Sequence, residues 1–386
     1  MRISLKARRL YNMNNLLESK GVSLLNLILP KEVVEKVSQS IIQSGAKGVF
    51  QISARGSVLT EGGFFEKMFP PPSPEQVLLQ ALVSDDCISK VTESAIASGN
   101  LDKVGSGAVF SMSCNDAHIS SSFPSSISSE TNNSENTSAQ ENLEAICCIC
   151  EKGVAEDIAK AALHCGAPGP TITFGEGGGI RDKIPLLRIT KGPEKEFVWC
   201  VVDKADADDV FGNMARAGKI TEPGRGFMYS IPVHSGLINV SSTISSSAHG
   251  ANMEQIISAL DDLKGNKDWR TSVDSVKSKA LKSTFLENLV GLYCIVPRDF
   301  YGEVYDAILD SGAPGVSTNF GVMIDADVSD SEQRQNEEWA LVYTSVGPNN
   351  VDSLRSSVEA KINNLGIDSY AFYTLPIPKA LTYLGG

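Results

Sequence analysis

The feature that constrains this chain most is a five-residue phrase that occurs three times. It reads Ser44-Gly45-Ala46-Lys47-Gly48, Cys165-Gly166-Ala167-Pro168-Gly169 and Ser311-Gly312-Ala313-Pro314-Gly315. Aligned on the first glycine, the preceding residues match without gaps as LPKEVVEKVSQSIIQSGAKG, CEKGVAEDIAKAALHCGAPG and VPRDFYGEVYDAILDSGAPG. Apolar residues coincide at Val33, Val154 and Phe300, at Val37, Ile158 and Val304, and at Ile41, Ala162 and Ile308. A four-residue spacing of this kind is one face of a helix, and the glycine behind it suits a helix C-cap.

Each such helix follows a short apolar run, SLLNLIL, AICCIC or LYCIV, which reads as a strand. A second apolar segment follows the glycine turn, then a polar loop of variable length, a third strand (VLLQALVS, EFVWCVVD or WALVYTSV), a second amphipathic helix and a closing strand. The pattern predicts an α+β chain of three tandem ferredoxin-like (βαββαβ) units, at residues 22–113, 143–236 and 289–386, the last degenerate. Helices on one face would leave each sheet's other face open, so the three units are expected to cover one another as an intramolecular pseudo-trimer.

The connections fit this partition. Linker 114–142 is rich in serine, and no Lys or Arg occurs from 104 to 151, so a flexible acidic tether is expected. In the second linker, 237–288, Met253, Ile256, Ile257, Leu260 and Leu263 mark an amphipathic helix, and Lys264, Lys267, Arg270, Lys277, Lys279 and Lys282 form a basic stretch. That stretch is read as a solvated connector, with a docking surface for an acidic partner as the alternative.

Charge and hydropathy narrow the function classes. With 34 basic against 46 acidic residues the net charge is -12, which gives phosphate-backbone attraction no support, so no nucleic-acid partner is expected. No apolar run reaches the roughly 18 residues of a membrane span. The basic N-terminus lacks the apolar stretch of a secretory signal, so a cytoplasmic location is expected, with Met13 as an alternative start to Met1. Cys147-x-x-Cys150 resembles half a zinc site, but no second pair follows at ligand spacing, and residues three apart on a strand face opposite sides. The eight cysteines are therefore expected to be buried free thiols, with no metal site.

The second unit ends in Ala217-Gly218-Lys219-Ile220-Thr221-Glu222-Pro223-Gly224-Arg225-Gly226-Phe227-Met228-Tyr229-Ser230-Ile231-Pro232-Val233. With the preceding EFVWCVVDKADADDVFGNMAR, this resembles the C-terminal half of P-II signalling proteins, in particular the PII-like branch with a Pro-Gly-basic-Gly turn before the last strand. The first unit carries the related Lys103-Val104-Gly105-Ser106-Gly107, and the third keeps only the ending Leu375-Pro376-Ile377-Pro378-Lys379-Ala380.

P-II proteins are trimers that bind adenine nucleotides between subunits and present a long loop to a target protein. The resemblance implies a regulatory or adaptor protein that senses a small anionic ligand, ATP or ADP, as an effector rather than a resident cofactor. Its target would be a membrane transporter or an enzyme. The nucleotide would lie between the base of the long loop and the glycine-rich turn. In the second unit these correspond to Gly175, Gly177, Gly178 and Arg181, and to Lys219, Gly224, Arg225 and Gly226; the first unit offers Arg55, Gly56, Lys103, Gly105 and Gly107. Glycines let backbone N–H groups converge on an anion, and Arg or Lys supplies charge. The long loops differ in sequence and carry apolar residues, Phe64, Phe65 and Phe69 in the first and Ile184, Pro185, Leu186 and Leu187 in the second, which suit target contact. Departures from the family are Ala108 after the second glycine of the first turn, the loss of the turn from the third unit, and no tyrosine in any long loop.

Catalysis has little support. His118, His164, His234 and His249 have no nucleophile and acid at triad spacing, while Asp85-Asp86 and Asp206-Asp208-Asp209 begin helices, where the dipole favours carboxylates. A non-enzymatic regulator, monomeric because its units are already tethered, is the leading reading. A ligand-free structural scaffold is the alternative.

Overall fold

The computed structural model describes residues 16–19, 21–60, 74–125, 141–179, 193–240, 243–245, 261, 263, 284–325 and 337–384. The first third runs β1 (Leu16–Ser19), β2 (Val22–Pro30), α1 (Val34–Ser44), β3 (Gly48–Gly56), β4 (Val58–Thr60), β5 (Glu75–Ser84), α2 (Asp85–Gly99), β6 (Gly107–Ser113) and β7 (Asp116–Ser120). The second runs β8 (Leu143–Glu151), α3 (Ala155–His164), β9 (Thr171–Gly179), β10 (Glu194–Asp203), α4 (Ala207–Gly218), β11 (Gly226–Val233), β12 (Ser235–Asn239) and β13 (Thr243–Ser245). The third runs β14 (Leu286–Pro297), α5 (Tyr301–Asp310), β15 (Gly315–Asp325), β16 (Glu338–Val346), α6 (Val351–Leu365) and β17 (Ala371–Thr382).

The arrangement of these strands corrects the expected fold class. Among the described residues, fifteen strands belong to one sheet, and it closes on itself. Passing around the ring, β17 pairs with β11, β11 with β8, β8 with β10, β10 with β9, β9 with β3, β3 with β15, β15 with β16, β16 with β14, and β14 returns to β17, every pair antiparallel. The molecule is a closed nine-strand antiparallel β-barrel with extra strands, and not three tandem ferredoxin-like units forming a pseudo-trimer. The extra strands β5, β2, β6 and β12 continue outward from β3, and β7 and β1 from β17.

The physical reason lies at the sheet edges. A strand that ends a sheet exposes a row of unpaired N–H and C=O groups. Here Ala54–Gly56 of β3 pair with Thr171–Thr173 of β9, Gly175–Gly179 of β9 pair with Gly315–Asn319 of β15, and Val322–Asp325 of β15 pair with Gly48–Gln51 of β3. Backbone pairing thus joins the thirds edge to edge, in place of three sheets covering one another only through their faces.

Alternation along β8 shows how the core is divided. Ala145, Cys147 and Ile149 join the central cluster with Tyr229, Tyr293, Tyr343 and Tyr373, while Ile146, Cys148 and Cys150 pack with Ile158, Ala162, Val210 and Met214 from α3 and α4. Cys147 and Cys150 accordingly face opposite sides of the sheet. In the centre Tyr293 stacks between Tyr343 and Tyr373, with ring centroids 5.2 and 5.1 Å away. Part of the segment read as a tether is also ordered: β7 pairs with β17 and β1. Residues 126–140 lie outside the described residues, as does the 253–282 connector apart from Asp261 and Leu263.

Candidate functional site

The rim where β8 ends holds two of the groups that the sequence singles out, both from the second third. Gly226 pairs with Cys150, Glu151 with Lys195, and Lys195 with Gly175, so the turn before β11 and the glycines of β9 sit on one rim with β8 and β10 between them. Three lateral steps of about 4.8 Å place them roughly 14 Å apart. Along this rim they lie side by side on one sheet, separated by β8 and β10.

Each group has a structural role. Gly175, Gly177 and Gly178 lie in a strand rather than at a loop base, paired with Asn319, Ser317 and Val316 of β15. A Cβ on Gly175 would stand 2.0 Å from the Thr318 carbonyl oxygen, and one on Gly177 would stand 3.0 Å from Lys195 Cγ. The missing side chains admit a neighbouring strand. Arg181 lies outside the described residues.

In the turn, Lys219 takes the left-handed conformation that ends α4, and its N–H caps the Arg216 carbonyl at 3.2 Å. Gly224 and Gly226 have φ of +72° and +153°, and a Cβ on Gly226 would fall 2.0 Å from the Ile149 carbonyl oxygen. Arg225 projects from this turn to two carboxylates, with Nη1 3.4 Å from Glu151 and Nε 3.5 Å from Glu222. Its charge is matched within the chain.

Arg55 behaves similarly. Its Nη1 donates to Glu156 at 2.7 Å, which joins β3 of the first third to α3 of the second. The guanidinium carbon lies 5.9 Å from the centroid of Phe174, whose ring is 45% exposed. Gly56 donates its N–H to the Pro74 carbonyl. The first turn, with Lys103, Gly105 and Gly107, docks on β12: Gly105 N–H donates to the Asn239 carbonyl at 2.7 Å, and Asn239 Nδ2 donates to the Leu101 carbonyl at 2.6 Å. A Cβ on Gly107 would meet the Ile28 carbonyl oxygen at 2.3 Å.

The sequence reading missed Glu196. This carboxylate is buried, and its Oε2 accepts the N–H groups of Gly153 at 2.8 Å and Ala155 at 3.1 Å, capping α3 from a neighbouring strand. A single carboxylate entering the apolar run FVWCVV was the available signal. The three thirds also share one rim ion pair where the first and third strands meet: Lys31 with Glu75, Lys152 with Glu194 and Arg298 with Glu338, at 2.8, 2.8 and 2.7 Å. Among the described residues no group of three or more His, Cys, Asp or Glu could hold a metal ion. Burial pushes the thiols of Cys147, Cys148, Cys200 and Cys294 well up, and that of Cys150 up to about 12, which leaves them protonated and unreactive near neutral pH.

No protein-family model matches the chain, and no curated protein matches it. Among solved structures it is similar to the crystal structure of aspartate kinase from Synechocystis, with 9% sequence identity and a TM-score of 0.21. The match covers 93% of this chain and 44% of the kinase chain, so this chain spans less than half of that protein's length. A TM-score this low carries no argument about fold or function. Among the described residues no helix is long and apolar enough to cross a membrane.

Proposed function

We propose that this chain is a non-enzymatic, ligand-free scaffold, a closed barrel that binds a target protein. The observation that carries this reading is the pairing of Arg225 with Glu151 and Glu222. An arginine reserved for a phosphate would be expected without competing carboxylates, since an incoming anion must displace them and meet their charge. The tight packing around Gly175 and Gly226 supports the same conclusion, because both glycines accommodate backbone rather than a ligand. The target is a protein, in the class of transporters or enzymes to which the P-II resemblance points.

A second reading, an adenine-nucleotide sensor of the PII-like kind, is favoured by one observation. Arg55, which also pairs with Glu156, stands beside the exposed Phe174 at the junction of β3 and β9, where a cation and an aromatic surface adjoin. A thermal-shift series with ATP, ADP, AMP and inorganic phosphate separates the two. The scaffold reading expects no change in the transition at millimolar ligand. A saturable rise that is lost in Arg55→Ala would overturn it in favour of the sensor.

A further inference from the structure

Two small cavities lie within the central core, each about 10 Å³, and Asn26, Gln80 and Trp199 line both. That volume is close to the minimum for one water molecule and too small for a larger ligand. No charged side chain lines either cavity.

The hydrogen bonds around them run in one direction. Asn26 Nδ2 donates to the backbone carbonyl of Leu24 at 3.2 Å, which fixes that amide's orientation and turns its Oδ1 toward Gln80. Gln80 Nε2 donates to Asn26 Oδ1 at 2.9 Å, and this fixes the second amide in turn. Nearby, Tyr343 donates to Asn319 Oδ1, Asn319 Nδ2 donates to the Phe174 carbonyl, and Thr171 donates to Gln76. Two of the residues that line both cavities carry a buried polar atom without a partner among the described residues, the acceptor Gln80 Oε1 and the donor Trp199 Nε1–H. Gln80 is only 6% exposed. A buried acceptor and a buried donor left without partners are each destabilising, and both residues line the same water-sized spaces.

We propose that these cavities are binding sites for ordered water, in which a water accepts the Trp199 indole N–H and donates to Gln80 Oε1. Gln80 lies on β5 and Trp199 on β10, so the water links the first third of the chain to the second inside the core. The chemistry requires a small neutral ligand that both donates and accepts. Water meets that requirement, whereas an anion would face Gln80 Oε1 and a cation would face the indole N–H.

A crystal structure of the full chain, at a resolution where ordered water is visible, tests this directly. The expected result is density within hydrogen-bonding distance of both Gln80 Oε1 and Trp199 Nε1. Two empty cavities, or a direct bond between the two side chains, would overturn the proposal. In solution, oxygen-17 relaxation dispersion should count at least one long-lived water fewer in Trp199→Phe than in the wild type, and an unchanged count would also overturn it. Should that variant fail to fold, a cross-relaxation peak between water and the Trp199 indole proton of the wild type is expected. Its absence would count against the proposal.

Discussion

Arg225 and Glu151 stand 74 residues apart in sequence and 3.4 Å apart in space. The contact ties the turn before β11 to the end of β8, the strand against which β11 pairs. It gives the one arginine of a Pro-Gly-Arg-Gly turn an internal partner.

Arg225→Ala should therefore cost little stability. Both partners are partly solvated, and ion pairs of this kind contribute about 0–1 kcal/mol. Chemical denaturation should show a loss under about 1 kcal/mol, and a loss several times larger would mean that the turn depends on this arginine in another way.

Two glycine substitutions should have opposite signs. Gly175→Ala places a methyl 2.0 Å from the Thr318 carbonyl oxygen and 3.0 Å from the Phe197 ring, so β9 and β15 must separate. Overpacking costs about 1–3 kcal/mol, and at a backbone contact the upper end is expected. Gly302→Ala, in α5 with nothing within 4 Å of the added carbon, should gain about 0.5–1 kcal/mol. Denaturation midpoints read both, and a neutral Gly175→Ala would contradict the described pairing.

Glu196→Ala should weaken the start of α3. The carboxylate takes two N–H groups that no local side chain caps. A lost cap costs about 0.5–2 kcal/mol, and hydrogen exchange should accelerate at Gly153 and Ala155 before it does so elsewhere in the helix.

Alkaline pH should destabilise the fold. Burial raises the folded pKa of Cys147, Cys148, Cys200 and Cys294, that of Cys150 to about 12, and those of Tyr229, Tyr293, Tyr343 and Tyr373. The unfolded chain releases these protons first, from about pH 8.5 for thiols and about pH 10 for phenols. Stability is fully present below the unfolded values and falls as pH rises toward the folded ones. Urea midpoints should be flat from pH 7 to 8 and decline from about pH 9, more steeply above 10. A flat profile to pH 11 would mean that these groups are solvated.

The order of the main helices and strands was legible in the sequence because the two leave different signals, as in the four-residue spacing of Val37 and Ile41 in α1 and the short continuous apolar run from Ala145 to Cys150 in β8. The joining of the thirds was not, because lateral pairing uses backbone groups that every residue carries. Gly175, Gly177 and Gly178 show the ambiguity most plainly. Chain that lacks Cβ atoms suits an anion and suits a close neighbouring strand equally well, and the approach of Thr318 to Gly175 is invisible in the sequence. The pairing of Arg225 was hidden for a related reason, since its partner Glu151 belongs to another strand. In β7 only Ala117 and Ile119 alternate with polar residues, a signal too short to stand out from the serines that follow.

Differential scanning calorimetry of the full chain tests the central claim most directly. A barrel that draws strands from all three thirds should unfold in one cooperative transition, with the calorimetric and van't Hoff enthalpies equal. Resolved transitions for separate thirds, or a fragment covering residues 143–236 that folds alone with its own transition, would contradict the single closed barrel and the scaffold built on it.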